Sequence, residues 1–514
     1  MNIRLICRIL GMIALIVGGS MAISLPWSLP ICGQTEVFDA RGFFGLLGSM
    51  AICGAVGGCL WYVGRKEVAQ RLLHREAIAV VGLSWLAASV LGACPFLLSG
   101  TGRGYSPDGK IVRMGFADAL FESASGFSGT GASVLSDVED RRLISPAVLF
   151  WRSQMHFLGG LGIIVLFVAL LGLGSASKAL LRVEVAAPSQ TSTHEQTRRA
   201  AMAFGAVFLM LNAILTLLLV LQGLSLYDAL CHAFGTIATG GFSTHNASVG
   251  YYRSPAVELT IVLFMLLGCT NFALLYFAAK GNIRRLFSDL EFRVYLSIVA
   301  VAVLFMTAAL IRHHQAGPLE SLRMALFQCV SIQTNTGFAT ADFDRWPPFC
   351  KGLLLVLMYI GGCAGSTSCS VKVIRYVFLG KIVSLELQRS FRPSMVKHIR
   401  LGGVPITDSE ILQDVLVYLL LIAWVSVAAW LALLVFEPLT TWTAHSGDKL
   451  LDCFSAVAAT INGVGPGLGM FGPTANFGSL QPISKIILSL LMLLGRIELF
   501  PILVLFMPGF WSRR

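Results

Sequence analysis

The sequence predicts an all-α integral membrane protein: two leading transmembrane helices, then four tandem helix, pore-loop, helix units around a pseudo-fourfold axis, with ten spans and four pore helices. Three observations carry this expectation. Hydrophobic residues fill 56% of the 514 positions and charged residues only 13%, against about 25% charged in an ordinary soluble domain. The chain breaks into repeated apolar stretches long enough to cross a hydrocarbon core of roughly 30 Å. Between some of them lie four half-apolar segments too short to cross, each followed by a Gly/Thr/Ser-rich turn.

The spanning stretches lie near 5–25, 42–64, 77–99, 146–172, 200–222, 255–279, 292–312, 352–378, 411–436 and 483–508. They divide the chain into a leading pair (1–70) and four units (71–185, 186–285, 286–395 and 396–514). Arg4 and Arg8 precede an apolar run from Ile9 to Leu25. That run is long for a signal peptide and ends at Pro26 without a small-x-small cleavage pattern, so a retained first helix is expected. The longest segments between spans, 100–145 and 437–482, have 46 residues each, which leaves no room for a soluble catalytic or nucleotide-binding domain of roughly 100 residues.

The net charge of +11 is carried by short clusters between spans. No basic domain exists to lie along a phosphate backbone, and nucleic acid is set aside as a partner. The clusters are Arg4 and Arg8; Arg65, Lys66, Arg71 and Arg75; Lys178, Arg182, Arg198 and Arg199; Lys280, Arg284, Arg285 and Arg293; and the stretch Lys381 to Arg400. They mark alternate loops as cytoplasmic and put both termini, Arg513 and Arg514 included, on that side of a lipid bilayer. Twelve cysteines without a CxxC pair, most of them inside apolar stretches such as Cys53, Cys269 and Cys363, read as small apolar packers.

Internal repeats organise the rest. The first short segment begins Asp118-Ala-Leu-Phe and reaches Gly131; the second begins Asp228-Ala-Leu-Cys and reaches Gly241; the third begins Met324-Ala-Leu-Phe and reaches Gly337. These three align without gaps. A fourth, from Asp452-Cys-Phe-Ser to Gly465, is aligned with one inserted residue. All four turns fall opposite the basic clusters, on the extracellular or periplasmic side. Open backbone inside a membrane is tolerated only where it is buried in protein or lines a water-filled cavity. Rings of backbone carbonyls suit a dehydrated cation such as potassium, and glycine reaches the backbone angles that aim them. The candidate filter residues are Thr130 and Gly131; Thr239, Gly240 and Gly241; Asn335, Thr336 and Gly337; and Asn462, Gly463, Val464 and Gly465. The threonines either add hydroxyl oxygens or brace the turns.

Two cations, Lys372 and Arg496, fall inside spans, where facing lipid costs at least about 2.5 kcal/mol. They either oppose a cation beneath the turns or are structural, for instance Arg496 paired with Glu498. Asp118, Glu122, Asp228, Asp342, Asp344 and Asp452 lie near the outer ends of the short helices. There they concentrate cations or cap helix starts, with capping favoured for Asp118, Asp228 and Asp452.

The four turns, together with Trp151-Arg152-Ser153, Leu158-Gly-Gly-Leu-Gly-Ile-Ile-Val165, Gly361-Gly-Cys-Ala-Gly-Ser-Thr367 leading to Lys372, and Leu494-Gly-Arg-Ile-Glu498, resemble the Trk/Ktr/HKT superfamily of potassium transporters. Within it they are most similar to the membrane subunits of bacterial Trk uptake systems, the two leading helices included. The resemblance implies potassium uptake across the plasma (inner) membrane through one pathway per subunit. It also implies a homodimer, gating by a cytosolic nucleotide-binding regulatory subunit, and one key glycine per turn at Gly131, Gly241, Gly337 and Gly465. A gate is implied at an intramembrane loop with Gly365, Ser366, Thr367 and Ser368, together with Lys372 and Arg496. Here the chain departs from the family, because Ser368-Cys369-Ser370 stand where relatives carry a run of glycines.

Gly467 to Gly472 matches GxGxxG but lacks a strand, a βαβ unit and an acidic partner. No catalytic or metal-ligating constellation is found, so an enzyme is not expected and no cofactor is expected on this chain, potassium being its substrate. The alternative reading is a secondary transporter of another monovalent cation or small solute. That reading predicts two-fold or inverted repeats rather than four repeats with turns on one side.

Overall fold

The structure, a computed structural model, describes residues 2–32, 34–65, 74–171, 194–392, 399–401, 404–406, 409–443 and 448–512. Lys66, Arg71, Lys178, Arg182, Arg513, Arg514 and residues 393–398 of the last basic stretch lie outside them, as do the unit divisions at 70/71, 185/186 and 395/396. The division at 285/286 falls inside the short helix Ile283–Ser288.

The leading pair are the helices Ile3–Ser20, prolonged by a 3₁₀ stretch Met21–Ser28, and Ala40–Gly64. Each start is capped by a side-chain oxygen: Asn2 accepts the Leu5 N–H at 3.2 Å and Asp39 the Gly42 N–H at 3.1 Å. The two helices touch through glycines. A Cβ on Gly11 would sit 2.7 Å from the Gly57 carbonyl oxygen, and one on Gly57 2.9 Å from that of Gly11. Close backbone approach through small residues is how helices pack where lipid removes the hydrophobic drive.

The four short helices are Phe116–Ser128, Leu226–Ile237, Pro318–Gln333 and Lys449–Ile461. Their starts correct the capping expectation. Asp118 does accept the Gly115 N–H, but Ser225 caps the second helix and Asp448 the fourth. Asp228 instead accepts the Ser225 and Thr244 hydroxyls, and Asp452 the Trp442 indole N–H.

Among the described residues six helices are long and apolar enough to span, and a seventh span results if Pro255–Gly268 and Phe272–Ala279, bent by 109°, are counted together. Pro146–Leu171 is a continuous helix of 26 residues. The other two expected spans are interrupted. Pro348–Met358 and Val373–Phe391 are separated by a non-helical loop, and Pro482–Arg496 stops at Arg496 before the short turns that end the chain. Two small antiparallel hairpins, Gly102–Tyr105 with Ile111–Arg113 and Ile399–Leu401 with Val404–Ile406, are the strands among the described residues. One core cluster is drawn mainly from residues 207–373 with Ala458, Ala459, Val464 and Leu468, and another joins the leading helices to 85–155 and 418–502 with Val371. Large apolar side chains such as Leu217, Leu304 and Trp424 remain exposed on the outside, as a lipid-facing surface requires.

Candidate functional site

Each short helix ends in a turn with two left-handed residues two positions apart: Gly129 and Gly131, Thr239 and Gly241, Asn335 and Gly337, Gly463 and Gly465. In each, the amide one position before the second glycine closes on a carbonyl five residues back: Thr130 on Ser125, Gly240 on Gly235, Thr336 on Ser331, Val464 on Ala459. The fourth copy therefore matches the others residue for residue, and the insertion expected there is not needed.

The turns meet in a ring. A Cβ on Gly131 would strike the Gly240 carbonyl oxygen; one on Gly241, that of Thr336; one on Gly337, that of Val464; and one on Gly465 would lie 2.6 Å from that of Thr130. Each glycine faces the carbonyl of the next turn, and the fourth closes back on the first. The φ values at these glycines, 81°, 77°, 79° and 96°, are ones that a side chain strains. All four glycines line one cavity of about 140 Å³ with Arg152, His245 and Asn246 at its flanks.

The threonines brace. Thr130 shares a hydrogen bond with the Ser128 hydroxyl at 2.6 Å and Thr336 with that of Thr334 at 2.8 Å, while Thr239 donates to the Thr367 carbonyl at 3.1 Å. A polar side chain nine or ten residues before each glycine ties down the chain that leaves the turn. Glu122 accepts the Val134 N–H at 3.0 Å, Gln328 that of Thr340 at 3.3 Å and Ser455 that of Leu468 at 2.9 Å, and His232 reaches the Ser243 hydroxyl at 3.0 Å. The sequence reading missed His156, which joins the first two turns. Its Nδ1 bonds the Gly126 carbonyl at 2.7 Å, and its Nε2 accepts the Phe242 N–H at 3.2 Å. Those partners assign the proton to Nδ1 of a neutral ring.

Arg152 and Lys485 are buried beside the ring, and each is paired with a carboxylate. Arg152 bonds Glu122 and lies 3.3 Å from the Phe242 ring centroid; Lys485 bonds Asp118 at 2.5 Å and the Gly478 carbonyl at 2.8 Å. Asp344 accepts the Gly469 N–H at 2.9 Å, and Asp342 pairs with Arg345 at 3.0 Å. Asp118 and Glu122 are engaged in buried ion pairs, whereas Asp342 and Asp344 are half-buried and Arg345 is exposed.

Against the inner face of the ring lies the loop between Met358 and Val373. Its neck is a bridge between Ile360 and Val371, with the Gly361 N–H on the Val371 carbonyl at 3.0 Å. Its tip bonds the first, second and fourth turns, and its neck lies beside the third. Thr367 donates to the Ile237 and Gly268 carbonyls at 2.8 and 3.0 Å, and the Cys369 thiol to the Ser128 carbonyl at 3.4 Å. Ser370 donates to the Asn462 amide oxygen at 2.9 Å, and Gly361 stands where a Cβ would lie 3.3 Å from that of Asn335. Ser366 and Ser368 share a hydrogen bond at 3.0 Å, and the Gly365 carbonyl accepts the Phe272 N–H at 3.1 Å. Lys372 donates to the Ser368 carbonyl. Arg496 donates to the Thr367 carbonyl and lies 3.4 Å from the Cys369 sulfur. Its Nε and Nη2 are buried without a partner among the described residues. Glu498 is not the partner of Arg496, since it pairs with Arg375 at 2.5 Å. Cys369, and Cys269 through its bond to the Thr334 carbonyl at 3.1 Å, do more than the packing expected of cysteines here.

Residues 46–513 match the family model TrkH, described as a cation transport protein. The chain is 35% identical to the Trk system potassium uptake protein TrkH of Escherichia coli K12, over 99% of this chain and all of that protein. It is 32% identical to TrkG of the same strain over 92% and 93% of the two chains. The crystal structure of the potassium transporter TrkH from Vibrio parahaemolyticus superposes with a TM-score of 0.84 at 32% identity, covering all of both chains. On these matches the chain belongs to the TrkH family of cation transport proteins.

Proposed function

We propose that this multi-pass membrane protein takes up potassium through the ring of four turns. One observation carries the reading: each turn's left-handed glycine admits the carbonyl of its neighbour, so four chemically different turns close into one ring of backbone oxygens. Such a ring can replace the hydration shell of a monovalent cation. The names of the full-length relatives, potassium uptake proteins and a potassium transporter, support potassium as that cation. In this reading the filter comprises Thr130, Gly131, Thr239 to Gly241, Asn335 to Gly337 and Asn462 to Gly465. The chain is a transporter rather than an enzyme and carries no resident cofactor.

The loop from Gly365 to Ser368, held by Lys372 and Arg496, is the gate. With Cys369 and Ser370 that follow it, this loop bonds the first, second and fourth turns, and the Arg496 charge stands where a descending cation would meet it. Serine and cysteine in place of the family's glycines give the loop side-chain bonds through Ser368, Cys369 and Ser370, which stiffens it. The basic clusters support cytoplasmic termini. A homodimer and a cytosolic nucleotide-binding regulatory subunit complete the proposal. The test is rubidium uptake into liposomes holding the purified chain, competed by potassium and by sodium. Uptake that potassium competes and sodium does not is the expected result, and equal competition by both sinks the filter assignment.

A further inference from the structure

Glu291 opens the span Leu290–Arg312, whose start is capped by Asp289 through the Phe292 N–H at 2.8 Å. Its carboxylate is buried, and one oxygen, Oε1, accepts two backbone N–H groups from far along the chain: Ala364 at 2.9 Å and Ile374 at 3.0 Å. These residues flank the intramembrane loop. Thr367, Cys369 and Ser370, which bond the second, first and fourth turns, lie between them. Ile374 is also the second residue of the helix Val373–Phe391, so the carboxylate sits on free N–H groups at that helix start, where negative charge is stabilised. A buried carboxylate is costly unless hydrogen bonds hold it, and here two backbone N–H groups do. Nothing in the ring or in the Arg496 contacts uses this one.

We infer that Glu291 is the positioning residue of the gate: it staples both arms of the intramembrane loop to the first span of the third unit. The short helix Ile283–Ser288, with Arg284 and Arg285 on the expected cytoplasmic side, runs directly into that span. A push on this helix from the cytosol is therefore carried through Glu291 to both arms at once. The neck bridge between Ile360 and Val371 holds the arms to each other, whereas Glu291 holds them to a neighbouring helix. This inference rests on the reading of the loop as a gate.

The test uses the full chain in proteoliposomes without any regulatory subunit, as wild type, Glu291→Ala and Glu291→Gln. Two quantities are read: basal rubidium flux, and the rate at which N-ethylmaleimide labels Cys369, followed by peptide mass spectrometry. Glu291→Ala removes both acceptor bonds, and basal flux is expected to rise by about tenfold or more, with faster Cys369 labelling. Glu291→Gln keeps a neutral acceptor oxygen and nearly the same shape, so it folds where the alanine variant fails and shows a smaller rise in both. Cys369 labelling that stays at the wild-type rate in folded Glu291→Gln and Glu291→Ala overturns the inference. Faster labelling with unchanged flux upholds the staple and overturns the gate reading instead.

Discussion

Replacing Gly465 by alanine adds one methyl group at the seam where the fourth turn closes on the first. The new Cβ would lie 2.6 Å from the Thr130 carbonyl oxygen and 3.1 Å from the Gly131 carbonyl carbon. To reach an ordinary contact of 3.4 Å the Thr130 carbonyl must retreat by about 0.8 Å. The backbone itself resists, because φ is 96° and a non-glycine residue held in such a region costs about 1–3 kcal/mol. Losing one well-placed oxygen against a charged group costs about 1.5–3 kcal/mol, which corresponds to roughly a tenfold to hundredfold loss of apparent potassium affinity. The assay is rubidium uptake into proteoliposomes over a potassium titration, with sodium as second competitor and size-exclusion chromatography to certify folding. A folded Gly465→Ala protein with wild-type potassium affinity and wild-type sodium rejection refutes the ring as the selectivity element.

Arg496→Gln removes the charge beneath the ring and weakens the hold on the Thr367 carbonyl; basal rubidium flux without a regulatory subunit should rise, and an unchanged flux counts against Arg496 as part of the gate. Thr367→Val keeps shape but loses the one hydroxyl proton shared by the Ile237 and Gly268 carbonyls at 2.8 and 3.0 Å, and at about 1 kcal/mol it should raise basal flux by roughly fivefold in the same assay. Arg152→Leu leaves Glu122 as an unpaired buried charge, which costs about 3–5 kcal/mol; thermal unfolding in detergent should show a large drop, partly restored by adding Glu122→Gln. Lys485→Met against Asp118 should behave alike, with rescue by Asp118→Asn.

The spans and the four turns were legible because both are written locally: apolar length reports a crossing, and a glycine repeated in register reports a shared backbone conformation. Gly131, Gly241, Gly337 and Gly465 were each singled out in this way, and the structure gives each a positive φ. The breaks in the helices were not legible in the apolar pattern, and only the loop after Met358 was expected, from the family resemblance. An apolar run reads alike whether it continues straight, bends by 109° after Gly268, or stops at Met358 for a loop. Partners far apart in sequence were equally hidden. Lys485 meets Asp118 across 367 positions and Glu291 meets Ala364 across 73, and no local spacing records either pair. Glu291 lay at the very edge of an expected span, so no intramembrane carboxylate was anticipated. The capping errors at Asp228 and Asp452 have a local cause. Ser225 and Asp448, better placed at the helix starts, took the role first.

The decisive measurement is flux through the purified full-length chain in liposomes with potassium inside and a trace of rubidium outside. The four-turn ring predicts rubidium accumulation that external potassium suppresses in the wild type and that sodium suppresses only once Gly131 or Gly337 is replaced by serine. Rubidium uptake that sodium suppresses as well as potassium does in the wild type, and that neither serine variant alters, would contradict it.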